Sequence, residues 1–308
     1  MIRTRTGIAA IAAVIGAAAL AWFATSHWRD AAAESAPRVV QATTAETSAR
    51  NRGASATPPS PRTVSDNLEG EVARALHDPA YLQKLLAMYA AETDPDTKGA
   101  LLAVLRGAAN DSDAILRFAI DLANSADPSR REEGLALLQA YPLDNAEVRG
   151  LLTREISEES DPAMLGRLVG MLDAAVVPTE DTVQIAGQLA RLRSHPDPDV
   201  RAASVMQSTS WDKDGNLEDI LHRAMLDPAP QVRRAAIGSV TVSGVRSARL
   251  KDALLDIAAN PGSSSEERQA AVFALQNFPL NRSEYAIYRQ AAQMTDADDD
   301  GHEPHRGS

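Results

Sequence analysis

A chain of 308 residues with no cysteine excludes disulfide staples, thiolate nucleophiles and cysteine zinc sites. Charged residues make up 24% and hydrophobic residues 44%, an ordinary soluble balance, but aromatics at only 4% favour close-packed helices over strand sandwiches. The formal net charge of −11, with 33 Asp/Glu against 23 Lys/Arg in residues 67–294, argues against phosphate backbones, so nucleic acid is not expected as a partner.

The first expected element is apolar. Arg3 and Arg5 precede an uncharged stretch over residues 6–28, whose centre reads IAAIAAVIGAAALAWFA (8–24). Its 23 residues exceed the roughly 20 that a spanning helix needs, and Trp22 and Trp28 suit the far interface. Small-x-small sites at Ala19-Leu20-Ala21 and Ala31-Ala32-Ala33 equally suit removal as a signal peptide. Residues 1–28 are therefore a signal peptide or a signal-anchor helix. The rest of the chain is expected outside the cytoplasm, on the periplasmic side of the inner membrane as a single-pass anchored protein, or soluble and periplasmic or secreted. Residues 29–66, which include TPPSPR (57–62), lack periodicity and read as a disordered linker. As a flexible coil it would span on the order of 35 Å.

The middle of the chain is periodic. Asp94, Asp127, Asp161, Asp197, Asp227 and Asn260 each precede a proline, at intervals of 33, 34, 36, 30 and 33. Such a period signals a stacked repeat array. Lys98, Arg131, Leu165, Arg201, Arg233 and Arg268 then fall in register. Four residues beyond them lie Leu102, Leu135, Val169, Val205, Ile237 and Val272, and seven beyond lie Leu105, Leu138, Leu172, Ser208, Val240 and Leu275. That spacing is one face of a helix. A second helical pattern stands upstream of the breaks, as in AYLQKLLAMYAAE (80–92) and RLKDALLDIAAN (249–260). The residue before proline leaves the α region, Asp or Asn there can cap the next helix, and proline is tolerated in a first turn. No segment reads as a strand. The expected fold is all-α, an α-solenoid of about six two-helix repeats over residues 67–294, closing on a final helix near 281–294.

DPDVRAASV (197–205) and PQVRRAAIGSV (230–240) resemble the second helix of HEAT repeats, including the HEAT-like units of phycobilin-lyase proteins. The resemblance covers about residues 70–294. DPAMLGRLVGML (161–172) departs from it in lacking the basic residue in register, and the first two copies lack the Val-Arg pair. The resemblance implies that Asp and Arg at these positions pair along the stack. The implied ladder comprises Asp94, Asp127, Asp161, Asp197, Arg201, Asp227, Arg233 and Arg268. It also implies that second helices line the binding face, where register exposes Gln207, Arg234 and Gln269 to a partner protein.

Other polar clusters carry less. HPDPDVR (195–201) could present His195, Asp197 and Asp199 to a metal, but its sister copies have no histidine, so a capped turn is expected. WDKDGNLED (211–219) lacks the glycine and closing glutamate of a calcium loop and is expected as an inter-repeat turn. Asp296, Asp298 and Asp300 match the first half of such a loop, yet the twelfth position is Gly307; residues 295–308 read as a disordered acidic tail with at most weak divalent binding. No nucleotide-binding or nucleophile motif is present. These readings converge on a non-enzymatic interaction or scaffold module of the cell envelope, without cofactor, binding a protein whose identity the sequence does not name. Two alternatives are a bilin-lyase-like enzyme, suggested by the resemblance alone, and a purely structural envelope spacer.

Overall fold

The computed structural model describes the backbone of residues 61–300 and the side chains of residues 68–294. Among the described residues there are fourteen α-helices, one 3-10 turn (Ala109–Asp111) and no strand. A leading helix α1 (Pro61–His77) is followed by six pairs. These are α2 (Pro79–Ala91) with α3 (Pro95–Ala108), α4 (Asp113–Ala123) with α5 (Pro128–Leu138), α6 (Ala146–Glu158) with α7 (Pro162–Gly170), α8 (Thr179–Leu192) with α9 (Pro198–Trp211), α10 (Leu217–Met225) with α11 (Pro230–Ser243), and α12 (Ala248–Ala259) with α13 (Ser265–Leu275). An unpaired α14 (Arg282–Asp300) follows. No described helix is long and apolar enough to cross a membrane. The apolar stretch 6–28 lies outside the described residues, as do residues 29–60 of the linker and 301–308 of the tail.

Two boundaries differ from expectation. Helix α1 opens at Pro61, inside what reads as linker. Proline at the first helical position loses no needed amide, and Ala75 is buried while Val72 meets α3 at Gly107. Tertiary packing thus overrides a loop-like composition. At the other end the helical backbone continues to Asp300, six residues past the expected end and into the expected tail. Asp296, Asp298 and Asp300 therefore stand in helical backbone, and their side chains lie outside the described residues.

The repeat punctuation acts through local hydrogen bonds. Asp94, Asp127, Asp161 and Asp197 each cap the helix that their proline opens, accepting the amides of Thr97, Ser129, Met164, and Asp199 with Val200. Asp78 does the same for α2, a break that precedes the counted period. The last two breaks differ. Asp227 accepts the Ala229 amide but α11 starts beyond it, and Asn260 ends α12 while Ser264 and Glu267 form a capping box on α13.

The chain forms two compact units, one ending at Leu151 and one running from Leu152, so the division falls within α6. In the first, α1 packs on α2 and α3, and α4 on α5, over Tyr89, Leu105, Ile115, Leu137 and Leu138. Gly134 of α5 presses on the backbone of α4 at Ala119 and Ala123. In the second unit, α9 packs against α7, α8, α10 and α11, and the core continues through Leu221, Val232, Ala236, Val240, Leu254 and Leu275 to Ala291 of α14. Of the six residues four beyond the register position, all but Leu102 are buried. The polar exception seven beyond, Ser208, bonds the Ser204 carbonyl at 2.7 Å and accepts from Arg193 at 2.9 Å. A hydroxyl is tolerated there because both its functions are satisfied.

Candidate interaction surface

The register arginines of the second unit act as clasps. Arg201 Nη1 donates to the carbonyls of His195 and Pro196, both at 2.9 Å, tying the turn before its own helix. Its Nε and Nη2 reach the two oxygens of Asp227 in the next repeat, at 3.0 and 2.8 Å. Arg233 repeats the first move on the carbonyls of Asp227 and Pro228, again at 2.9 Å. Its Nε goes to Glu267 at 2.6 Å, since Asn260 offers no charge. Arg268 is buried and bonds the Ser263 carbonyl at 3.1 Å. The rigid guanidinium fork permits this double duty, which an ammonium cannot copy.

Burial alone would raise the Asp227 carboxyl, but the Arg201 hydrogen bonds, the Ala229 amide and the charges of Arg201 and Arg233 outweigh it and hold it low. Glu267 is held low the same way, against burial, by Arg233 and Ser264. Protons therefore bind the unfolded chain more readily than the folded one. The stabilisation is complete at neutral pH and declines as pH falls from about 5 through these depressed values. Thermal melts between pH 7 and 3 should show the unfolding midpoint dropping, and an Asp227→Asn, Glu267→Gln double variant should lose less across that range. Parallel slopes would remove these two groups from the acid response.

His195 Nδ1 accepts the Asp197 amide at 3.1 Å and Asp197 accepts the amides of Asp199 and Val200, so HPDPDVR is a closed turn. Replacing Asp197 by alanine frees the Asp199 and Val200 amides and should cost about 1 kcal/mol, whereas asparagine should cap nearly as well. Denaturant midpoints of the two variants check this; equal losses would mean that the carboxylate charge matters, not the cap. In WDKDGNLED, Gly215 takes a left-handed φ of 77° and the segment turns into α10. No group of three acidic or histidine side chains fit for a metal occurs among the described residues.

The three residues expected on the partner face separate. Gln207 is only 5% exposed and donates to the Gly170 carbonyl at 3.2 Å, so it belongs to the interior; register predicted its helix face but not the neighbour covering it. Arg234 is half-buried and paired with Glu266, and Gln269 is exposed. One turn beyond Gln269 stands Phe273, 59% exposed. The helix register places it beside the core-facing Val272 and does not by itself show that it is exposed. Gln269 and Phe273 of α13 and Gln276, which caps its C-terminal end, follow one another along one exposed row.

A concave feature lies on the other side of the pairs, between the first helices. Helices α10 and α12 leave a cleft of about 680 Å³, walled by His222 and Met225 on one side and by Asp252, Ala253, Asp256 and Ile257 on the other. Leu226 and the turns at Asp227 and Asn260 close its end. The Nδ1 atom of His222 is buried without a hydrogen-bond partner. In the first unit a shallower groove of about 440 Å³ separates α2 from α4, over Leu86, Ala87, Ala90 and Phe118. Asp252 and Asp256 stand in the quoted stretch RLKDALLDIAAN, where their spacing already places them on one face.

Residues 185–276 match a family model described as HEAT repeats. The match spans α9 to α13, which carry the arginine clasps, the α13 row and the α10–α12 cleft. No curated protein matches the chain.

Proposed function

We propose that the HEAT repeats of residues 185–276 are the partner-binding part of a non-enzymatic protein of the cell envelope. HEAT repeats generally bind proteins, and the observation that carries the reading here is the exposed row of Gln269 and Phe273 on α13 with Gln276 at its C-cap. An aromatic side chain held open to water between two amides, on a rigid helix, suits a protein contact. Export rests on the arginine-flanked apolar stretch 6–28, whether it stays as an anchor or is removed.

The test is a photo-cross-linking amino acid in place of Gln269 or Phe273, in the full chain, in its own cells, followed by separation of envelope and cytoplasm. A discrete adduct in the envelope fraction is the expected result. No adduct at either position would overturn the α13 row as the contact, and recovery of the chain from the cytoplasm would overturn the location.

A further inference from the structure

Building on the partner-binding reading above, we infer that the α10–α12 cleft receives an arginine or lysine side chain from an exposed segment of the partner protein. The head group meets Asp252 and Asp256, and the aliphatic stem lies on Leu226 and Ile257.

The ions around the cleft divide into committed and free. Asp227 is held by Arg201, Arg233 by Glu267, and Arg249 by Asp219 at 2.8 Å. Asp252 and Asp256 have no ion pair or side-chain hydrogen bond among the described residues, and both are exposed. Four residues apart on one helix face, they repel one another. Asp256 also lies in the last turn of α12, where the negative end of the helix dipole disfavours a carboxylate. Folding gains nothing from this pair, and a bound cation would relieve both penalties.

The wall beside them selects the kind of cation. Leu226 is 68% exposed and lines the cleft with Met225 and Ile257, an apolar surface against which a long methylene stem can lie while its charged end stays at the carboxylates. A guanidinium needs only such a pair of acceptors. A divalent ion needs more, and no group of three suitable side chains converges among the described residues.

The full chain, labelled with nitrogen-15, is titrated with N-acetyl-arginine amide and, separately, with N-acetyl-citrulline amide, its neutral isostere. The arginine derivative should shift the amides of residues 222–228 and 252–260 and saturate at millimolar concentration, as a fragment of this size does. An Asp252→Asn, Asp256→Asn variant should weaken binding about two- to fivefold, the effect of losing roughly one exposed ion pair, while its unfolding temperature stays equal or rises. Equal shifts from the citrulline derivative, or unchanged binding by the variant, would overturn the assignment. A cross-linker in place of Leu226 separates the two readings. An adduct there that disappears in the double variant supports the cleft. Adducts at Gln269 with none at Leu226 overturn the cleft and leave partner binding standing, and adducts at neither overturn both.

Discussion

Replacing Gly134 by alanine is expected to lower the unfolding temperature of the first unit by about 10 °C or more, from an overpacking cost of roughly 2–3 kcal/mol in a unit of this size. A Cβ at this position would stand 2.2 Å from the Ala123 amide nitrogen and 2.7 Å from the Ala119 carbonyl oxygen. Both are backbone atoms of α4, so no rotamer change relieves the contact and the two helices must part. Parting them strips close contacts from Ala119, Ala123, Leu137 and Leu138, all buried. Gly99, in α3 of the same unit, supplies the control. It is exposed and has open space where a Cβ would go, so Gly99→Ala should stabilise by about 0.5–1 kcal/mol through helix propensity. One chemical change should thus give opposite signs in circular-dichroism melts. A neutral Gly134→Ala would mean that the α4–α5 contact yields without loss.

The second large effect belongs to Arg233. Its removal leaves Glu267, 2% exposed, with only Ser264 to solvate its charge, and also frees the carbonyls of Asp227 and Pro228. Taking one partner from a buried pair typically costs about 3–5 kcal/mol, and because Arg233 is partly exposed the lower end is expected for Arg233→Ala. Adding Glu267→Gln should recover part of the loss, since the amide keeps the capping box and carries no charge. The Arg233→Ala penalty should also shrink as pH falls, because burial without Arg233 pushes the Glu267 carboxyl up and the orphaned group takes up a proton before the paired one does. Urea denaturation of the single and double variants at pH 7 and pH 3.5 measures all three. A double variant as unstable as Arg233→Ala would place the loss in the two carbonyls.

Much of the architecture could be read from the chain because its punctuation acts within one turn. An Asp that caps and a proline that opens a helix need no distant partner, and four of the six counted breaks do this in the structure. In four of the six copies a small residue stands three beyond the register position: Ser204, Ala236 and Ala271 are fully buried, with Gly134 as the extreme. The Ser264-x-x-Glu267 capping box is a local signal of the same kind.

The chain by itself determined an all-helical repeat of about 33 residues, its helix pairs, the core face of each second helix and the turn character of HPDPDVR, because these follow from spacing and from bonds to neighbours in sequence. Only the tertiary structure decided which charge meets which. Arg233 turns to Glu267 because α13 starts later than its Asn-Pro break suggests. Gln207 is interior because the Gly170 carbonyl lies against it, and Asp252 and Asp256 are free because the cations around them have other partners. Pairing and exposure depend on where the next helix comes to rest, to within an ångström or two, and that distance is set by the packing of whole repeats and not by any local pattern.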